Sequence, residues 1–79
     1  MRIDKYLKVS RLIKRRTVAS DACSAGRVKV NGLVVKASSK VKEGDVIDIT
    51  FGNREVKVEV TMIKDTTKKD EAKEMFKYL

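Results

Sequence analysis

The spacing of apolar positions changes from helical to alternating along this chain and becomes helical again at its end. Ile3, Leu7 and Ser10 fall at i, i+4 and i+7 with Tyr6 beside them, which predicts a short helix over residues 3–12. At about 100° per residue, Lys5 and Lys8 fall on the opposite side of that helix, with Arg2 and Arg11 on its flanks. A basic connector, Lys14-Arg15-Arg16, follows. Thr17 is then expected to cap a second helix, because its hydroxyl can accept from the free N–H groups of the next turn. Ala19, Ala22, Cys23 and Ala25 give that helix a thin face of small residues, suited to close packing. Gly26 is expected to stop it, since glycine enters the left-handed region at little cost.

Beyond Gly26 the period drops to two. Arg27-Val28-Lys29-Val30 alternates, Asn31-Gly32 is a strong hairpin signal, and Leu33-Val34-Val35 returns. Lys42-Glu43-Gly44-Asp45 marks another turn before a strand through Val46, Ile47, Ile49 and Phe51. Gly52-Asn53 then leads into the alternating Val56–Val60. At the end, Thr67-Lys68-Lys69-Asp70 has the outline of a capping box. Ala72, Met75, Phe76 and Leu79 take i, i+3, i+4 and i+7, so a C-terminal amphipathic helix is expected. The fold class is therefore α+β: two N-terminal helices on a small antiparallel sheet, plus a C-terminal helix. The expected division is a domain over residues 1–60 and an extension over 61–79.

Seventy-nine residues allow only a modest core, so a large partner docking on a surface suits this chain better than a small molecule in a deep pocket. The charge is unevenly spread. Residues 1–42 hold twelve Lys/Arg and two acids, whereas residues 43–79 hold seven Lys/Arg and nine acids. A solubility coat would not segregate in this way, whereas a polyanion-binding half would. With no histidine, the commonest general base and metal ligand is missing. The single cysteine, Cys23, lies among small residues with no base beside it, and one thiol forms neither an internal disulfide nor a metal cage. The glycines fall at turns or a helix end, not in a phosphate loop. An enzyme is not expected, nor a cofactor or metal. The lone cysteine favours a reducing compartment. With no signal-peptide pattern and no apolar run longer than Leu33-Val34-Val35, the expected location is cytoplasmic, away from any membrane.

What remains is a cationic constellation. Arg2, Lys5, Lys8 and Arg11 come from the first helix, and Lys14, Arg15 and Arg16 from the connector. The second helix start at Thr17 adds free N–H groups and a positive dipole end. Arg27 and Lys29 bring two more cations where the chain enters the hairpin, and the Asn31-Gly32 turn exposes backbone near that face. Aromatics are few: Tyr6, Phe51, Phe76 and Tyr78. Readers of single-stranded RNA usually stack bases on aromatics, so recognition of folded RNA by shape and backbone is favoured.

The run Arg2-Ile3-Asp4-Lys5-Tyr6-Leu7, then Ser10-Arg11, Arg15-Arg16-Thr17, Ala22, Gly26, Val28, Val30-Asn31-Gly32 and Gly44-Asp45, resembles the S-four RNA-binding domain family over roughly residues 1–50. The resemblance implies the S-four-like (alpha-L) fold, with the helix pair and the following hairpin forming the RNA-binding face. Over its full length, through Lys64–Lys69 and Glu71-Ala72, the chain is similar to the bacterial ribosome-associated quality control P-site factors, relatives of heat-shock protein fifteen. That similarity implies binding to large ribosomal subunits obstructed by peptidyl-tRNA. Contacts would run to large-subunit rRNA and the P-site tRNA, in support of tail elongation by an alanine-tailing quality control partner, with the chain a monomer off the ribosome. It carries RNA contact onto Arg2, Lys5, Lys8, Arg11, Arg15, Arg16 and Thr17; Lys14 and Lys29 follow from charge alone. Three alternatives stand beside this: a heat-shock-type recycling factor for large subunits with stuck nascent chains, a targeting module for an RNA-modifying enzyme, and an adaptor that uses the C-terminal stripe.

Overall fold

The computed structural model describes residues 1–65 and 68–79. Two helices, α1 (Ile3–Val9) and α2 (Arg16–Ser24), precede five strands: β1 (Val28–Val30), β2 (Leu33–Val34), β3 (Val46–Phe51), β4 (Arg54–Val60) and β5 (Phe76–Tyr78). A 3-10 turn, Ala72–Glu74, leads into β5. The strands form one sheet in the order β2-β1-β3-β4-β5, antiparallel at every pairing. The expected pair of helices and small antiparallel sheet are both present. Among the described residues, no helix is long and apolar enough to cross a membrane.

Strand alternation decides where the core lies. Val28, Ile47, Ile49, Val58 and Val60 bury one face of the sheet against Ile3, Tyr6 and Leu7 of α1 and Ala19 and Cys23 of α2. The small residues of α2 act as read from the sequence: Ala19 and Cys23 are buried and Ala22 is partly so, though Ala25 is exposed. Burial pushes the Cys23 thiol up, and the nearby negative charge of Asp4 adds to this, so the side chain is a protonated core filler.

Turn chemistry sets the boundaries. α1 stops at Val9, short of the expected Leu12. Ser10 turns its hydroxyl onto the Leu7 carbonyl at 3.2 Å, and Arg11 enters the left-handed region at φ 64. The Ile13 amide then reaches the same carbonyl at 3.1 Å, which places Ile13 in the core. Gly26 does end α2, at φ 75. Its amide donates to the Cys23 carbonyl and that of Arg27 to the Ala22 carbonyl, the paired bonds of a Schellman stop. Asn31 and Gly32 both take positive φ, which joins β1 to β2 in a two-residue turn. The Asn31 side chain also locks this turn to the start of β3, donating to Asp45 Oδ1 at 3.1 Å and accepting from the Val46 amide at 3.0 Å.

The C-terminal helix is not formed. Phe76–Tyr78 instead pairs with the open edge of β4, with Val60 opposite Phe76 and Val58 opposite Tyr78. The last residues satisfy a period of two as well as one of four. Pairing with an otherwise unpaired strand edge satisfies backbone groups that a short isolated helix would leave marginal. Met75 is fully buried, and its carbonyl accepts the Tyr6 hydroxyl at 2.7 Å, which fastens this segment to α1. Burial holds the Tyr6 phenol well above its ordinary value, so it remains a donor. The expected capping residue Thr67 lies outside the described residues.

Candidate nucleic-acid interface

The two helix starts meet at one buried carboxylate. The chain ahead of α1 is stitched to the segment before β3: Ile3 N–H donates to Ser39 O at 2.7 Å, and Val41 N–H to Met1 O at 2.9 Å. That fixes Arg2 in an extended conformation as the N-cap of α1. Asp4, in the first turn of α1, is 3% exposed. It accepts the Lys5 amide at 2.7 Å, Arg2 Nε at 3.2 Å, Arg2 Nη2 at 3.1 Å and Arg16 Nη2 at 3.5 Å. Burial alone would raise its pKa. The Lys5 amide and the guanidinium groups of Arg16 and Arg2 outweigh that and hold the carboxyl below the ordinary value. Asp4 is therefore ionised at neutral pH. It anchors one arginine at the start of each helix while both arginine side chains stay about half exposed.

Arg16 also explains why α2 begins earlier than expected. Arg15, extended at φ −120 and ψ 136, is the N-cap, and it makes no side-chain capping bond. Thr17 is an exposed residue of the first turn, not the cap. The Arg16–Asp4 pair positions the helix start in place of a hydroxyl cap. No acid lies in that first turn, so nothing on α2 itself neutralises its positive end.

The other cations from the sequence divide into two groups. Lys8, Arg11, Lys14 and Arg15 are exposed on α1 and on the connector that leads to Arg16. Lys5 is half-buried and faces Asp65 at 3.5 Å. The hairpin residues do not join this group as expected. Lys29 alternates with the buried Val28 and stands opposite Asp48, on the sheet face away from the helices. Arg27 is exposed beside Asp21 at the far end of α2. The Asn31 amide is committed to Asp45 and Val46.

Two features were not read from the sequence. Asp4 was one of two acids in a basic half, and that rarity at a helix start was its only signal. The other is a cleft beside the connector, lined by Arg11, Leu12, Phe51, Arg54, Val56, Phe76 and Tyr78. It exists only because the chain end is a strand.

The S4 domain family model matches residues 1–47. The RQC P-site tRNA stabilizing factor of Bacillus subtilis is 54% identical over 79 residues, covering all of this chain and 92% of that protein. The protein of the same name from Halalkalibacterium halodurans is 55% identical over 76 residues, covering 96% of this chain and 86% of that one. Among solved structures, trimeric Vibrio cholerae heat shock protein 15 superposes with a TM-score of 0.93 at 29% identity, covering all of this chain and 81% of that one. The two curated relatives carry the name of a tRNA-stabilizing factor, not of an enzyme. With the matched model spanning both helices and the first hairpin, and with relatives alike over the whole chain, the chain belongs to the S4 domain family and, within it, to the RQC P-site tRNA stabilizing factors.

Proposed function

We propose that this protein binds large ribosomal subunits obstructed by peptidyl-tRNA, holding large-subunit rRNA and the P-site tRNA in place while an alanine-tailing partner extends the nascent chain. It acts in the cytoplasm, as a monomer when off the ribosome, and performs no chemistry itself. The observation that carries this reading is the pair of guanidinium groups fixed by Asp4 at the junction of the two helix starts, in a family whose named members stabilise P-site tRNA. Arg2 and Arg16 are the anchors. Lys5, Lys8, Arg11, Lys14, Arg15 and Thr17 extend the phosphate-contacting surface along α1, the connector and the first turn of α2. Arginine forks onto two phosphate oxygens and lysine supplies a point charge, so the surface positions RNA through its backbone and not through base edges. Arg27, Lys29 and Asn31 lie away from this surface, so their part is limited to general positive charge and the shape of the hairpin turn.

Sedimentation of cell extract through a sucrose gradient tests this. At low salt the protein is expected to travel with large-subunit particles, and to leave them steeply as salt rises. About five neutralised phosphates would give a log–log slope near −4 to −5 on duplex-DNA scaling. A protein that stays at the top of the gradient at low salt would overturn the assignment.

A further inference from the structure

Three of the chain's four aromatic rings are gathered at one open place. Phe51, Arg54, Val56, Phe76 and Tyr78 lie on the helix-side face of the sheet and line one cleft. Strand register puts them together: Phe51 is opposite Arg54 across the β3–β4 hairpin, and Tyr78 is opposite Val58 on β4. Phe76 and Tyr78 contact edge to face, with centroids 5.3 Å apart and planes at 89°. Tyr78 is nonetheless 70% exposed and Phe51 39%. The connector supplies the opposite wall through Arg11 and Leu12, and the open cleft between them has a volume of about 410 Å³.

We propose that this cleft receives a single unpaired nucleobase of the RNA whose backbone is held by the Arg2–Arg16 surface. The inference rests on the RNA-binding reading of that surface, and three observations favour a base over other occupants. The lining carries two arginines, Arg11 and Arg54, and no acid, so it suits a ligand that brings phosphate with an aromatic ring. The cleft adjoins the basic surface through the chain, because Arg11 belongs to the connector that runs from α1 to Arg15, the N-cap of α2 ahead of Arg16. Arg11 also holds a left-handed backbone conformation, φ 64, where glycine would be unstrained; a long cation is placed at the rim despite that cost. A second copy of this chain is a poor occupant, since it would bring the same cationic rim and a net charge of +8.

The test uses the full chain and three labelled RNA hairpins: one with a single bulged 2-aminopurine, one with the bulge abasic, and one fully paired. Bulged RNA is expected to bind about tenfold more tightly than the other two, the effect of one stacked base, with 2-aminopurine emission quenched on binding. Tyr78→Ala and Phe51→Ala should abolish that preference and leave affinity for the paired hairpin unchanged. Tyr78→Phe should keep it. Thermal melts confirm that the exposed Tyr78 substitutions fold. Equal wild-type affinity for all three hairpins, or a preference that survives Tyr78→Ala, overturns the proposal while leaving the phosphate-binding surface intact. Failure to bind even the paired hairpin removes both. Ultracentrifugation showing wild-type assemblies that Tyr78→Ala returns to monomer would place a second copy in the cleft and overturn it as well.

Discussion

Asp4→Asn separates positioning from simple charge. The substitution keeps the shape, and the amide oxygen can still accept the Lys5 N–H, but the negative charge between Arg2 and Arg16 disappears. On charge alone the variant gains one net positive charge and should bind RNA slightly more tightly. On positioning it should bind more weakly, because two long side chains lose the anchor that holds them together. Freezing such a side chain costs about 0.5–1.5 kcal/mol, so two arginines that must be ordered by the RNA itself lose about 1–3 kcal/mol, roughly 5- to 150-fold in affinity. That exceeds the gain expected from one extra partly screened charge.

Stability should change in step. A hydrogen bond to a charged group contributes about 1.5–3 kcal/mol when sheltered. Here the Asp4 side chain is 4% exposed while those of Arg2 and Arg16 are 50% and 48% exposed, so screening brings each pair nearer 1 kcal/mol. A total of about 2 kcal/mol lowers Tm by roughly 8–16 °C in a domain of this size. The folded carboxyl titrates below its unfolded value of 3.8, so its contribution is complete above that pH and is lost as pH falls through the folded value. Melts of wild type and Asp4→Asn should therefore differ most at pH 7 and converge in acid. Fluorescence anisotropy with a structured rRNA fragment at pH 7, well below either Tm, gives the affinity. Tighter binding by Asp4→Asn would refute the positioning argument outright, and a Tm gap that persists unchanged at pH 2.5 would refute the electrostatic one.

Arg16→Ala should weaken RNA binding by about 1–3 kcal/mol in the same assay, the range of a charge-assisted contact, whereas Lys29→Ala, on the far face of the sheet opposite Asp48, should change affinity less than about twofold. The reverse ranking would move the interface to the hairpin. Tyr6→Phe removes the donor to the Met75 carbonyl, but that oxygen still receives the Thr61 amide at 2.8 Å, so urea titration should show a loss of only about 0.5–1.5 kcal/mol. A loss above about 3 kcal/mol would mean that the chain end is held mainly by this bond. Cys23, 3% exposed and with its thiol pKa raised, should react with a thiol-specific disulfide reagent only at the rate of unfolding; a fast stoichiometric reaction in buffer would contradict its burial.

The elements that could be read from the sequence were those set by local chemistry. Gly26, the Asn31-Gly32 turn and the alternation of Val46–Phe51 each impose their backbone geometry within a few residues, and each appears where the pattern put it. The start of α2 was misplaced because the cap rule assigns it to a hydroxyl at Thr17, whereas the decisive partner of Arg16 is Asp4, twelve positions away. The end of the chain was misread because Ala72, Met75 and Phe76 fit a helical stripe and Phe76-Lys77-Tyr78 fits a strand equally well; the vacant edge of β4 decides between them, and no local signal reports that edge.

The same division explains the candidate site. Its charge was legible because cations cluster in sequence as well as in space. Its geometry was not, because Asp4 and the aromatic cleft both depend on contacts between distant segments. A basic connector alone would attract any polyanion. Anchoring two arginines at the helix starts to a buried carboxylate fixes where those guanidinium groups sit, and the strand β5 adds aromatic rings to the wall of the neighbouring cleft. If the cleft takes an unpaired base, a truncation that removes Phe76–Leu79, the strand docked beside Tyr6 and Met75, should leave the net charge and the helices largely in place and still lose discrimination between bulged and paired RNA. Retention of that discrimination would show that the N-terminal basic surface is sufficient by itself.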